Sequence, residues 1–162
     1  MTEDIPESGL SNPDLVSPSG KLVLIVDDDE SLLELIEIMV KKEGFRTEKA
    51  KNGNEALSKV ESLNPDLILL DLMLPGRGGY EIIRELQASG CGSIPVVVIT
   101  GRHLDRKTFD MVRLEPNVRE LMEKPLRPAV LAAQLHGVLK TRPPDTNRAP
   151  GSQRGPMSGG IF

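Results

Sequence analysis

The chain is short of the residues that staple or decorate small proteins: among 162 residues it has no Trp, one Tyr, three Phe and a single cysteine, Cys91. One thiol excludes an intrachain disulfide framework and a cysteine-built zinc site, which points away from an oxidising compartment. No apolar run approaches the roughly 18 residues of a membrane span. The start, Met1-Thr2-Glu3-Asp4, is acidic and lacks the apolar stretch of a secretory leader. A cytoplasmic protein with no membrane partner is expected. Basic charge is also scarce, with 20 Lys and Arg against 24 Asp and Glu and a net charge of −4. So few aromatics and no basic field argue against direct nucleic-acid binding.

What charge there is lies unevenly. Residues 1–20 carry Glu3, Asp4, Glu7 and Asp14 with no Lys or Arg, together with three Pro, two Gly and four Ser. Residues 141–162 hold four Pro, four Gly and three Arg against Asp145 alone. Both compositions bury too little apolar surface to offset the entropy of ordering them, so flexible tails are expected at 1–20 and 141–162 around one domain at 21–140. No further domain is expected beyond Lys140.

Inside 21–140, apolar runs alternate with helical periodicity. Leu22-Val23-Leu24-Ile25-Val26 reads as a strand covered on both faces. Leu32, Leu35, Ile36, Met39 and Val40 then recur at helical spacing, closed by Lys41, Lys42 and Gly44. Further strands are expected near 45–49, 66–70, 95–99 and 118–122, and helices near 54–63, 80–88, 105–114 and 127–140. Five strands alternating with five helices imply an α/β fold, a doubly wound five-stranded parallel sheet of the flavodoxin-like type.

In such a sheet, function collects beyond the carboxyl ends of the strands. The first run ends in Asp27-Asp28, the third in Asp71, the fourth in Thr100 and the fifth, one residue later, in Lys124. Three carboxylates, a hydroxyl and an ammonium therefore converge on one edge. Three close carboxylates repel one another unless a cation compensates, and a hard, oxygen-seeking Mg²⁺ suits them better than zinc, for which no His or Cys ligands are apparent.

The stretches Val26-Asp27-Asp28-Asp29-Glu30, Asp71-Leu72-Met73-Leu74-Pro75-Gly76-Arg77-Gly78-Gly79, Ile99-Thr100-Gly101 and Glu123-Lys124-Pro125-Leu126, in this order, resemble the receiver domain of two-component response regulators. The resemblance covers about residues 21–140. It implies that Asp71 is a phosphoacceptor, that Asp27, Asp28, Asp71 and the backbone carbonyl of Met73 hold Mg²⁺, and that Thr100 and Lys124 contact the phosphoryl group. A cis Lys124–Pro125 bond is implied as well. The phosphoryl source would be a histidine kinase or phosphotransfer protein, and the output a protein partner at the face of the fourth helix, fifth strand and fifth helix. The protein would be no enzyme beyond Mg-dependent self-phosphorylation and autodephosphorylation. Met73 and Arg102 resemble the family's rate-tuning positions, and a stand-alone receiver is expected.

Four places depart from that pattern. Gly101 stands where alanine is usual, Gly78 where an acidic residue is frequent, and Leu121 where the family carries Tyr or Phe. Glu115-Pro116-Asn117-Val118-Arg119 replaces a Gly-Ala turn. Leu121 has no ring to rotate, so coupling to output is expected through backbone and loop displacement, and Pro116 is expected to shorten the fourth helix. On the last helix Leu126, Val130 and Ala133 form one stripe and Leu131, Leu135 and Val138 another. One covers the sheet. The other packs against the first helix or serves as a docking or weak homodimer surface. Cys91 and His103 read as loop residues, and His136 receives no role. Two rival functions remain: a pseudo-receiver that binds a partner without phosphorylation, and a phosphatase of the haloacid dehalogenase type suggested by Asp27-x-Asp29-x-Ser31. The second leaves Asp71 unexplained.

Overall fold

The structure, a computed structural model, describes residues 14–101 and 104–145. Strands β1 (Leu22–Val26), β2 (Arg46–Ala50), β3 (Leu67–Asp71), β4 (Val96–Thr100) and β5 (Val118–Glu123) alternate with helices α1 (Glu30–Lys42), α2 (Gly53–Leu63), α3 (Gly79–Ala88), α4 (Arg106–Arg113) and α5 (Pro128–Leu139). The strands pair in parallel in the order β2-β1-β3-β4-β5, as expected. The order reverses between β1 and β3, which opens a crevice at their carboxyl ends.

The continuous apolar runs follow from that order. Every residue of β1, β3 and β4 is buried, because helices cover both faces of the central strands. Alternate side chains point opposite ways. Val23, Ile25, Leu67, Leu69, Val97 and Ile99 pack against Leu33, Ile36 and Val40 of α1 and Leu131, Leu135 and Leu139 of α5. Leu24, Val26, Ile68, Leu70, Val96 and Val98 pack against Ala56 and Val60 of α2, Ile82, Ile83 and Leu86 of α3, and Val112 of α4. Each such side chain contributes about 1.5–3 kcal/mol on burial. Edge strands β2 and β5 are only partly buried and carry charges, which blunts them against further pairing.

Leu131 and Leu135 are the stripe of α5 that covers the sheet, with Val138 half-buried; Val130 and Ala133 face outward and Leu126 is half-buried. Helix α4 has eight residues and stops at Arg113, before Glu115 and Pro116. Expectations for residues 1–13 and 146–162, and for Arg102 and His103, fall outside the described residues.

The packing extends past 21–140. Val16 forms a parallel bridge with Thr141, joined by Val16 N to Lys140 O (3.1 Å) and Arg142 N to Val16 O (2.9 Å). His136 sits beneath this clasp, 7% exposed, with Nδ1 2.7 Å from Thr141 Oγ1 and Nε2 2.9 Å from Glu43 Oε1. Its ring lies 5.0 Å from that of Phe45. The only neutral tautomer that suits a carboxylate at Nε2 has Nε2–H donating to Glu43, leaving Nδ1 to accept from Thr141. His136 is thus a satisfied structural group. His136→Ala strips partners from the buried Thr141 hydroxyl and from Glu43, and should lower stability by about 1–3 kcal/mol in urea unfolding. A change under about 0.5 kcal/mol, the range of ordinary surface substitutions, would refute this account.

Candidate functional site

Asp27 follows the last residue of β1, its amide bonded to Ala50 O at 3.1 Å, so the chain remains extended one residue past the strand. Asp29 then caps α1: its Oδ1 accepts from Ser31 N (3.0 Å) and Leu32 N (3.2 Å). The acidic run therefore divides by role. Asp29 satisfies orphan helix amides, while Asp27 and Asp28 are left for the crevice.

Asp71 ends β3 opposite Ile99 of β4, and Thr100, one residue further along β4, pairs with Glu123 of β5. Lys124 is fixed beside them because its amide donates to Thr100 O at 2.8 Å; the Lys124–Pro125 peptide is cis. The five side chains named from sequence are thus all at this edge. Asp27, Asp71 and Thr100 are buried, at 1%, 3% and 3% exposure, and Asp28 is exposed. Carboxylate oxygens of Asp27, Asp28 and Asp71 lie within 4.8 Å of one another.

Their hydrogen bonds are asymmetric. Asp27 Oδ1 accepts from Asp29 N (2.9 Å) and Asp71 Oδ1 from Met73 N (3.0 Å). Lys124 Nζ stands 3.4 Å from Asp71 Oδ2 and 3.5 Å from Asp27 Oδ2. Asp27 Oδ2 has no hydrogen-bond partner although it is buried. Burial, followed by the charges of Asp71 and Asp28, raises the Asp27 pKa, against the Asp29 amide and Lys124, which lower it. Burial alone would lower the Lys124 pKa, but Asp71 and Asp27 outweigh it and leave it raised. Three carboxylates that share one lysine, with a buried Asp27 oxygen that no hydrogen bond satisfies, are under-compensated, which is what a divalent ion held by oxygen donors would remedy. The residues present therefore fit Mg²⁺. Met73 follows in the loop and is 66% exposed.

Leu121 is half-buried against the α2, α3 and α4 side of the core. Beside it a groove of about 230 Å³ is lined by Phe109, Arg113, Val118, Arg119 and Glu120. Sequence reasoning gave no role to the α3 side chains Tyr80 and Gln87, which bond to Glu115 in the turn before β5. The signal was present, since Glu115-Pro116-Asn117 stands out as a departure, but its partners lie about thirty residues away.

A family model described as response regulator receiver domain matches residues 23–136. DNA-binding response regulator MtrA of Mycolicibacterium smegmatis is 40% identical over 119 residues, covering 73% of this chain and 50% of MtrA. Sensory transduction protein RegX3 of the same organism is 36% identical over 118 residues, with 73% and 50% covered. The chain thus spans about half the length of the curated relatives it matches. Among solved structures, a CheY-like receiver domain protein from Methanospirillum hungatei superposes with a TM-score of 0.67 at 27% identity, covering 74% of this chain and 93% of that one. The receiver domain of a histidine kinase from Syntrophus aciditrophicus gives 0.66 at 29% identity, with 74% and 89% covered. With the sheet order, the strand-end carboxylates and these relatives in agreement, and the haloacid dehalogenase reading left without support, the chain belongs to the response regulator receiver domain family.

Proposed function

We propose that this protein accepts a phosphoryl group on Asp71 from a histidine kinase or phosphotransfer protein and passes the signal on by binding a protein partner. The observation that carries the reading is a single Lys124 ammonium shared between two buried carboxylates, 3.4 Å from Asp71 Oδ2 and 3.5 Å from Asp27 Oδ2. A structural aspartate needs no such arrangement. An Asp71 oxygen forms the new P–O bond while the donor's bond to phosphorus breaks, its electron pair leaving with the donor group. Lys124 screens the incoming charge from one side. Thr100 presents its hydroxyl to a phosphoryl oxygen, and Gly101 leaves the space beside it open. Asp27, Asp28, Asp71 and the Met73 carbonyl would hold Mg²⁺, whose charge when bound offsets repulsion between anionic nucleophile and anionic donor.

Self-phosphorylation from small donors and slow hydrolysis of the aspartyl phosphate belong to the same reading, as does control of its lifetime at Met73 and Arg102. So do a cytoplasmic setting, an output surface formed by α4, β5 and α5, and the absence of direct nucleic-acid contact by the receiver domain itself. Incubation with acetyl phosphate and Mg²⁺ should add the mass of one phosphoryl group to the intact protein, and Asp71→Asn should show none. The pseudo-receiver alternative, favoured by Leu121, predicts no adduct with any donor.

A further inference from the structure

Glu115, in the turn between α4 and β5, is bound almost entirely by α3. Its Oε2 accepts from the Tyr80 hydroxyl at 2.8 Å and lies 3.5 Å from Arg84 Nη1; its Oε1 accepts from Gln87 Nε2 at 2.9 Å. The same Gln87 nitrogen donates to Asn117 Oδ1 at 2.7 Å, and Asn117 Nδ2, on a residue 2% exposed, donates to the Ile83 carbonyl at 3.1 Å. Three successive turns of α3 therefore grip the segment that leads into β5.

The other end of α3 is equally confined. Gly79 N donates to Leu72 O at 3.0 Å, and a Cβ on Gly79 would stand 2.7 Å from Leu72 Cα and 2.8 Å from Leu72 O. Leu72 follows Asp71 directly, and the next amide, that of Met73, is bonded to the Asp71 carboxylate. A helix of ten residues clamped at both ends behaves as a strut: packed elements shift as bodies rather than absorb a displacement at one end.

We propose that this tether makes the α4–β5 turn follow the Asp71 loop through α3, so that the surface around Arg113, Leu114 and Arg119 responds to the state of Asp71. Tyr80, Gln87 and Glu115 are positioning residues in this scheme; none touches the phosphoryl site. Leu114, 82% exposed, is the most exposed large apolar side chain of the described residues and lies in the turn that would move. The inference rests on Asp71 being the phosphoacceptor.

The test uses the whole chain with acetyl phosphate and Mg²⁺, monitored by intact mass, with hydrogen exchange compared between adduct and unmodified protein. In wild type, adduct formation should change exchange across 114–119 by about fivefold or more, as expected where local opening free energies shift measurably. In Tyr80→Phe with Gln87→Ala, which removes three of the bonds from α3 to 115–117 and leaves the Arg84–Glu115 pair and the Asn117–Ile83 bond, the adduct should form to the same extent while that change falls to less than half. Tyr80→Phe alone, a milder cut, should give an intermediate value. A purely structural brace would alter exchange of the unmodified variant and leave the adduct-dependent change at its wild-type size, overturning the proposal. So would a wild-type adduct with no change at 114–119. Absence of any adduct overturns the phosphoacceptor reading, and the tether's signalling role with it.

Discussion

Asp27→Asn should make the metal-free protein more stable and abolish its stabilisation by Mg²⁺. The substitution keeps an oxygen to accept from Asp29 N, a bond of 2.9 Å; it gives up the 3.5 Å ion pair of Asp27 Oδ2 with Lys124 but removes a buried charge that faces Asp71 and Asp28. The sign follows from the raised pKa of Asp27, for which burial is the main cause. A carboxyl whose folded pKa lies above its unfolded value binds its proton more readily in the folded state. Its contribution is therefore most favourable when protonated, and it is lost as pH rises from the ordinary value of 3.8 through the folded value. At neutral pH the ionised group is a net cost, because burial and the charges of Asp71 and Asp28 outweigh the Asp29 amide and Lys124, so removing it should raise the urea midpoint. In wild type, Mg²⁺ should raise the urea midpoint with concentration by mass action, since it binds only the folded cluster. The variant should show a higher midpoint without Mg²⁺ and no rise with it. A variant less stable than wild type, or one that still responds to Mg²⁺, would contradict the site as drawn. The same measurement in Asp29→Asn should retain the Mg²⁺ response, because Asp29 is committed to the α1 cap.

That contrast marks how far the sequence could be read. The central strands announced themselves because burial on both faces leaves unbroken apolar runs, and the site residues could be found simply by taking the first polar residues beyond each run. Whether Asp28 or Asp29 caps α1 was open, because capping depends on backbone dihedrals that composition does not set. The His136 cluster was hidden for a different reason: Thr141 is a near neighbour in sequence, but Glu43 and Phe45 come from a distant segment and meet His136 only by the docking of α5 on α1. The tether from Glu115 to α3 was hidden in the same way. Long-range polar contacts carry no periodicity, so they surface in a sequence only as local departures, such as Glu115-Pro116-Asn117.

The glycines after Asp71 show the same limit and allow a sharp test. In sequence Gly76, Gly78 and Gly79 look alike, as a flexible turn. In the structure Gly76 has φ +72°, Gly78 is extended with nothing within 4 Å of an added Cβ, and Gly79 is walled in by backbone. Gly79→Ala should therefore destabilise the protein by about 1–3 kcal/mol, the usual cost of forcing a methyl into a filled space. The wall is Leu72 and the carbonyl of Asp71, 3.0 Å from the added Cβ, so the strain cannot be relieved by a side-chain rotation and must displace α3 or the phosphoacceptor loop. Phosphoryl uptake from acetyl phosphate should slow as the Asp71 loop moves away from Lys124. Gly78→Ala, one residue away, has open space and an ordinary backbone conformation; the less favourable N-cap is offset by the lower entropy of the unfolded chain, so stability should change by less than about 1 kcal/mol and by less than at Gly79. Equal effects at the two positions would mean that α3 is not seated hard against Leu72, and would remove the rigid end on which the strut depends.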